Sequence, residues 1–394
     1  MYARAPWCSV VPLRIGAVAT LLCAVLLFLS PSETIRAQAG TEAWTLQDAR
    51  PAPVARSGHA MAYDSGSDRV ILFGGLSGSS DRAESWPSGA WAYDFNSNAW
   101  ARLAAPVEPA TRFGHAVAYD TQAERVILFG GNTGGSTTSH TWAYDFRVNR
   151  WADLSSMGSP LERAGHALVY DTESHRIVLF GGSPSPAEGL LSDTWSYDSG
   201  TNSWADVTTT AAPSSRERHA MVYDSESDRT ILFGGSSAGR SGETWAFDLD
   251  TETWTIMQPQ VSPAPRDGHA MVYDNREDRV LLFGGESDAG WTAETWAYDF
   301  NRNTWAQLGS GVQPSARRDH AAAYDRESNQ VILFGGRAID GLNGETWAWG
   351  PRALLQPPRF EIALGLALVA EAIAVALIVR RSLRREGGAG KQKD

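Results

Sequence analysis

Six copies of an Arg-x-x-His segment place an arginine and a histidine at one fixed spacing along the chain. The pairs are Arg56 and His59, Arg112 and His115, Arg163 and His166, Arg216 and His219, Arg266 and His269, and Arg317 and His320. Imidazole is the commonest metal ligand, so six histidines could form a metal-binding ring. A hydrogen bond between neighbouring repeats, made once per copy, explains the same pattern more economically. We therefore predict a structural role for these residues, with no metal, no cofactor and no catalytic residue.

The arginines of this segment have a second recurring companion. In four copies an acidic residue stands two positions before a tryptophan, at Asp193, Glu243, Glu294 and Glu345. A buried arginine needs a paired or hydrogen-bonding partner. The sequence therefore predicts ion pairs within or between the repeats.

Other patterns of chemical interest are weak. Asp248 to Glu252 has the opening of a calcium loop but lacks the glycine at position 6 and the glutamate at position 12, so a hairpin turn is expected. The sequence has no Gly-x-Ser-x-Gly, His-Glu-x-x-His or phosphate-loop motif.

Each Arg-x-x-His segment opens a repeat that predicts four short strands. The first strand ends in Tyr-Asp, the second is an apolar run that ends in Gly-Gly, and a tryptophan marks the third and the fourth. The last copy has no fourth strand after Trp347, whereas Trp44 to Leu46 stands unmatched before the first copy. Joining the two ends makes six complete sets, which predicts a closed ring of four-stranded blades.

The Gly-Gly, Tyr-Asp and Trp pattern, at a spacing of roughly 50 residues, resembles the kelch repeat over residues 43–349. The resemblance implies an all-β, six-bladed β-propeller whose first strands line a central channel and whose fourth strands lie outermost. Kelch propellers include copper-radical oxidases that need a cysteine cross-linked to a tyrosine. Both cysteines, Cys8 and Cys23, precede the repeats, so that activity is excluded.

The N-terminal end predicts a secretory signal peptide over residues 1–39. Arg4 and Arg14 precede or open an apolar run that ends at Leu29, and small residues surround Ala39. An uncleaved anchor helix is an alternative, as is a lipoprotein signal that ends at Cys23.

The C-terminal end predicts one transmembrane helix over residues 361–380, after a juxtamembrane linker over 350–360 and before a basic cytoplasmic tail over 381–394. This order makes the protein a single-pass cell-membrane protein with an extracytoplasmic propeller. Glu371 is the ionisable residue inside this span, and we expect it to contact a partner helix or a second copy of the chain. A protonated glutamate that lipid tolerates is the alternative.

Only one connection of the repeat changes in length. The segment between Gly-Gly and the third-strand tryptophan has 15, 10, 12, 9, 10 and 10 residues in the six copies. Because loops on a rigid scaffold commonly carry binding residues, we predict the ligand site on the pole that bears these loops, although tolerance of insertions would also explain the variation. The candidate ligand-binding residues are Trp86, Trp291, Arg82, Arg240, Arg337 and Asp288.

The acidic composition restricts the class of partner. The chain has 45 Asp and Glu against 34 Lys and Arg, a net charge of −11, which disfavours nucleic acid. We predict a membrane-tethered binding or scaffold module for an extracytoplasmic protein or glycan. A carbohydrate-active hydrolase or isomerase with its active site at the propeller mouth is the alternative, and a purely structural surface protein is the third candidate.

Overall fold

The computed structural model describes residues 42–78, 86–185, 188–309 and 311–351. Residues Glu42–Pro351 form one compact unit. This unit contains six four-stranded antiparallel sheets, which we call blades 1 to 6 in chain order.

The strands of each blade follow the four predicted segments of a repeat. The first strands are Ala60–Asp64, Ala116–Asp120, Ala167–Asp171, Ala220–Asp224, Ala270–Asp274 and Ala321–Asp325. The second strands are Arg69–Phe73, Arg125–Phe129, Arg176–Phe180, Arg229–Phe233, Arg279–Phe283 and Gln330–Phe334. The third strands are Ala90–Asp94, Thr141–Asp145, Thr194–Asp198, Thr244–Asp248, Thr295–Asp299 and Thr346–Pro351. The fourth strands are Ala99–Leu103, Arg150–Asp153, Ser203–Asp206, Thr253–Met257, Thr304–Leu308 and, in blade 6, Glu42–Gln47.

The first strands of successive blades contact each other around a closed circuit, and blade 6 contacts blade 1. The N-terminal strand Glu42–Gln47 pairs antiparallel with Thr346–Pro351, so that Trp44 lies opposite Trp349. The predicted closure of the ring by an N-terminal outer strand is therefore confirmed.

The core lies between the blades. Six apolar clusters each combine residues of two neighbouring blades. The second strands supply most of this surface, since Leu72, Leu128, Leu179 and Leu232 are completely buried. Burial of one leucine side chain stabilises a fold by about 1.5 to 3 kcal/mol, so repetition in six blades makes these contacts the main source of stability.

The fourth-strand tryptophans join each blade to the preceding one. Each indole packs on the last residue of the second strand in the preceding blade, as Trp305 packs on Phe233 with ring centroids 5.1 Å apart. In five blades the indole Nε1 also donates a hydrogen bond to a third-strand threonine, as from Trp305 to Thr244 at 3.0 Å. Trp151 is the exception, because Ala90 stands where the other blades have threonine. Its Nε1 is buried without a hydrogen-bond partner among the described residues.

The turns at the other ends of the strands use the short polar residues expected of them. The stretch from Asp248 to Glu252 forms the turn of a hairpin, and the Asp248 carboxylate accepts a hydrogen bond from the Thr251 amide at 3.1 Å. Glu252 has a left-handed backbone with φ of 52°. The predicted hairpin is therefore present here.

The predicted membrane anchor requires correction. The described residues form strands and no helix that could cross a membrane. Their apolar segments are strands of at most six residues, whereas a helical span needs about 20 apolar residues. The predicted signal peptide, residues 1–39, lies outside the described part of the chain. Residues 352–394, which include Glu371, lie outside it as well. We therefore assign an all-β fold, and we do not retain the transmembrane helix at 361–380 or the single-pass membrane localisation. The contact of Glu371 stays a prediction.

Candidate functional site

One pole of the propeller carries the Arg-x-x-His segments, the Gly-Gly pairs and the loops between second and third strands. We call it the variable-loop pole. The antiparallel order of the strands places all of these segments at the same end of every blade. The opposite pole carries the short turns between first and second strands and between third and fourth strands.

The histidines pack against the Gly-Gly pairs. A Cβ atom on Gly74 would lie 2.6 Å from Cε1 of His115 in the next blade, and one on Gly75 would lie 2.9 Å from Cβ of His59 in its own blade. Both glycines also have positive φ, at 70° and 98°. Glycine is needed at both positions because a side chain would meet the histidines on either side.

Burial keeps these histidines neutral. Desolvation lowers the pKa of His115, His219 and His320 to about 3, and it lowers the pKa of the other three well below the usual value. Each imidazole lies edge-on to a phenylalanine of the preceding blade, as His115 does to Phe73 at 5.6 Å. The described residues contain no group of three or more histidine, cysteine or acidic side chains that could hold a metal ion.

The arginines connect the strands of a blade. Each guanidinium donates from Nη1 to the carbonyl of the first glycine of its Gly-Gly pair, as from Arg163 to Gly181 at 2.9 Å. The four predicted ion pairs are present, with distances of 2.6 to 2.8 Å. Burial alone would raise the pKa of Glu243, but its hydrogen bonds with Arg216 and Trp245 hold that pKa below the usual value.

Blades 1 and 2 lack the acidic partner. Arg56 and Arg112 are each 1% exposed, and no described carboxylate lies within ion-pairing distance of them. Burial lowers the pKa of each guanidinium to about 10, so both remain charged at neutral pH.

A ring of six backbone hydrogen bonds surrounds the channel at the variable-loop pole. The amide of the third residue in each Arg-x-x-His segment donates to the carbonyl of the equivalent residue in the preceding blade, at 2.7 to 2.9 Å. The ring residues are Gly58, Gly114, Gly165, Arg218, Gly268 and Asp319. Together with the histidines they line a cavity of about 140 Å³.

Two residues of this ring are not glycine. Arg218 and Asp319 have left-handed backbones with φ of 59° and 54°, and their side chains pair across Gly268 at 2.6 Å. The Arg218 Nε also lies 3.6 Å from the Asp267 carboxylate. Burial would lower the pKa of Arg218, but Asp319 and Asp267 raise it overall. An ion pair therefore lies at the mouth of the channel.

Further charges extend this pair outward over blades 4 to 6. Arg240 bonds Asp267 and Glu286 at 2.9 Å each and Asp288 at 3.1 Å. Arg318 pairs with Glu286 at 2.5 Å and lies 5.6 Å from the ring centroid of Trp291. We call Arg218, Arg240, Asp267, Glu286, Asp288, Trp291, Arg318 and Asp319 the mouth cluster.

The sequence-based candidates divide between the mouth cluster and other places. Arg240, Asp288 and Trp291 belong to it. Arg337 is exposed in the strand Arg337–Ala338, paired with Arg317–Arg318 beside the cluster. Trp86 is only 6% exposed and its ring meets Phe113 edge-on at 5.3 Å, so little of it is free for a ligand. Arg82 lies outside the described residues.

Sequence reasoning missed Arg218, Asp267, Glu286, Arg318 and Asp319. The signal was present in the second and third positions of the Arg-x-x-His segments. The third position is glycine in four copies and charged in two. Comparison of these positions would have located the centre of the cluster.

The opposite pole has a different character. Six tyrosines at one repeat position surround a channel section of about 240 Å³. Their hydroxyls are engaged in the adjacent turns, as Tyr273 donates to Asp278 at 2.8 Å. The tyrosines therefore hold the turns that close this end of the blades.

Two family models match the chain. The KLHDC2/KLHL20/DRC7 kelch-repeats domain matches residues 174–351, and the attractin/LZTR1 β-propeller matches residues 87–260. Together they cover blades 2 to 5, blade 6 except its N-terminal outer strand, and part of blade 1, in agreement with the strands described above. Kelch propellers are typical protein–protein interaction modules, and such domains generally bind protein partners.

Curated relatives match over about a third of the chain. Mei4-dependent protein 6 of Schizosaccharomyces pombe is 28% identical over 134 residues, which are 32% of this chain and 19% of the relative. Dynein regulatory complex subunit 7 of Chlamydomonas reinhardtii is 32% identical over 133 residues, which are 32% of this chain and 11% of the relative. The match thus spans less than a fifth of each relative. The repeat, the six blades and the two family models together show that the chain belongs to the kelch-repeat β-propeller family.

Proposed function

We propose that the propeller binds a protein partner through its variable-loop pole, with the mouth cluster at the centre of the contact. The observation that carries this proposal is the position of the cluster. Charged and aromatic side chains of blades 4, 5 and 6 converge beside the channel mouth, on the pole whose loops vary in length.

The composition of the cluster suits a protein partner. Tryptophan and arginine are among the residues most enriched at binding hot spots, and here the Arg318 guanidinium lies over the Trp291 ring. Arg218, Arg240 and Arg318 face Asp267, Glu286 and Asp319, so the cluster offers both signs of charge within a small area. Complementary charges of both signs fix the orientation of a bound partner.

The burial of the cluster supports the same use. The side chains of Arg218, Arg240 and Arg318 are 24 to 30% exposed, whereas Asp288 is 84% exposed. The cluster thus has a rigid, partly buried centre and an accessible rim. Because the partly buried side chains are already held in place, little side-chain entropy is lost when a partner binds.

The test is a selection from a displayed peptide library on the full-length chain. The selected peptides are then measured against the Trp291→Ala and Arg318→Ala variants. We expect each change to weaken binding at least tenfold, because truncation of a hot-spot residue costs more than about 1.4 kcal/mol. Melting temperatures verify that the variants remain folded.

Arg302→Ala is the matched control. Arg302 is an exposed arginine paired with Asp299 at the opposite pole, and its removal should leave the affinity unchanged. The proposal is refuted if the peptides bind Arg302→Ala more weakly but bind Trp291→Ala and Arg318→Ala with unchanged affinity. The binding face would then lie on the opposite pole.

A further inference from the structure

Four blades share a three-residue arrangement at the variable-loop pole. In blade 3, Oδ2 of Asp193 accepts hydrogen bonds from Nη2 of Arg163 and from Nε1 of Trp195, both at 2.7 Å. In blade 4, Oε2 of Glu243 accepts from Arg216 at 2.6 Å and from Trp245 at 3.1 Å. Blades 5 and 6 repeat this geometry. One carboxylate oxygen thus joins the guanidinium and the indole in each blade.

Blade 2 has both donors without the acid. Arg112 and Trp142 occupy the arginine and tryptophan positions, and His140 stands where blades 3 to 6 have an acidic residue. The Nε1 of Trp142 is buried and has no hydrogen-bond partner among the described residues. A buried indole N–H without a partner is destabilising, so an acceptor here would be favourable.

Arg112 keeps the orientation that Arg163 has in blade 3, and Trp142 keeps the position of Trp195 in the sheet. Arg112 donates to the carbonyls of Ala110 and Gly130 at 3.0 and 2.8 Å, as Arg163 does to the equivalent carbonyls. Trp142 lies opposite Leu128 in the sheet, as Trp195 lies opposite Leu179. The remaining N–H groups of Arg112 therefore point to the place that a carboxylate takes in blade 3.

The place that the acid takes in blades 3 to 6 lies near the surface. The acidic side chains that fill it in blades 3 to 6 are 23 to 44% exposed, so it reaches the surface. Asp153 lies close enough to raise the pKa of Arg112 slightly, but its carboxylate accepts from the Ser155 amide at 2.9 Å. The imidazole of His140 is exposed and carries no negative charge.

We propose that Arg112 and Trp142 form a carboxylate-binding subsite in blade 2, which takes an acidic side chain or the chain end of the protein partner. The subsite rests on the proposed function, because it lies on the same pole.

The test follows the indole N–H signals of the full-length chain labelled with 15N-tryptophan. Propionate serves as the probe for a glutamate side chain and N-acetylalanine as the probe for a chain end, with chloride at equal ionic strength as the reference. We expect a saturable shift of the Trp142 signal with at least one carboxylate and none with chloride. The Trp195 signal is the internal control and should not move. The tighter of the two probes identifies the source of the carboxylate.

Two variants separate the subsite from a general effect of anions. Arg112→Met should weaken the response at least tenfold. His140→Glu supplies a carboxylate from the chain itself. The Trp142 signal of this variant should therefore be shifted without a probe and should not respond to an added carboxylate. Its melting temperature should rise. His140→Gln is its uncharged control and should still respond.

A Trp142 signal that does not move with either carboxylate, or that still responds in His140→Glu, would overturn the proposal. The His140→Glu result decides the matter even where Arg112→Met does not fold. No protein partner is needed in this experiment. The subsite can therefore fail while the peptide selection succeeds, and the reverse result is equally distinguishable.

Discussion

Among the described residues, the contact between blades 1 and 2 is the one inter-blade contact whose fourth-strand tryptophan lacks an acceptor. Ala90 is 1% exposed and stands where five blades have threonine, and Trp151 Nε1 has no partner among the described residues. We predict that Ala90→Thr supplies the acceptor and stabilises the propeller. The stacking of Trp151 on Phe73, at 5.0 Å, already holds the indole in the position that the other blades use.

The size of the effect follows from the five equivalent contacts. Their Nε1 to Oγ1 distances are 2.9 to 3.1 Å, which is good hydrogen-bond geometry. A buried neutral hydrogen bond contributes about 1 kcal/mol, and removal of the orphaned donor adds up to about 1 kcal/mol more. Ala90→Thr should therefore raise the free energy of unfolding by about 1 to 2 kcal/mol. Thr244→Ala should lower it by a similar amount, because it leaves the indole of Trp305 without an acceptor.

The assay is urea unfolding followed by tryptophan fluorescence. Ala90→Val is the control, since valine matches the shape of threonine and lacks the hydroxyl. The difference between the threonine and valine variants isolates the hydrogen bond. Trp151→Phe, introduced into both variants, should cancel that difference because it removes the donor. Equal stabilities for Ala90→Thr and Ala90→Val would refute the reasoning, because the added methyl group alone would then account for any gain.

Two further predictions concern closure and acid stability. Trp44→Ala should lower the free energy of unfolding by about 3 to 5 kcal/mol, because it removes the ring contact with Phe283 at 5.0 Å. A loss below about 1 kcal/mol, measured by urea unfolding, would contradict the role of the N-terminal strand in closing the ring. The propeller should also lose stability as the pH falls below about 6.5, because the unfolded histidines take up protons that the folded ones refuse. Because the folded pKa values of His115, His219 and His320 are about 3, each of these histidines should lower the free energy of unfolding by about 2 kcal/mol between pH 7 and pH 5. A free energy of unfolding that stays constant in this range, measured by urea titration, would exclude this coupling.

The blade architecture was accessible from the sequence because each of its determinants recurs six times. The Gly-Gly pairs, the apolar second strands and the tryptophans mark strand ends and buried faces by residue type alone, and the unmatched Trp44 indicated how the ring closes. The four ion pairs were also accessible, because a buried arginine restricts the choice of partner.

The mouth cluster was accessible only in part. Arg240, Asp288 and Trp291 lie in variable loops and were candidates on that basis. Asp319 pairs with Arg218 over a sequence separation of 101 residues, and no local pattern predicts which blades face each other across the channel. The burial of Trp86 was equally hidden, because its contact with Phe113 depends on how a loop of blade 1 meets blade 2.

The pair Arg218 and Asp319 is difficult to explain by folding alone. Four blades use glycine at this ring position, and the same six backbone hydrogen bonds form with either residue type. A left-handed backbone costs a non-glycine residue roughly 1 kcal/mol, so the two positions together cost about 2 kcal/mol. The ion pair does not offset that cost, because both side chains are 26 to 30% exposed and such pairs contribute about 0 to 1 kcal/mol. The strain is therefore retained for the charges that it holds at the channel mouth, which is where the proposed partner surface has its centre.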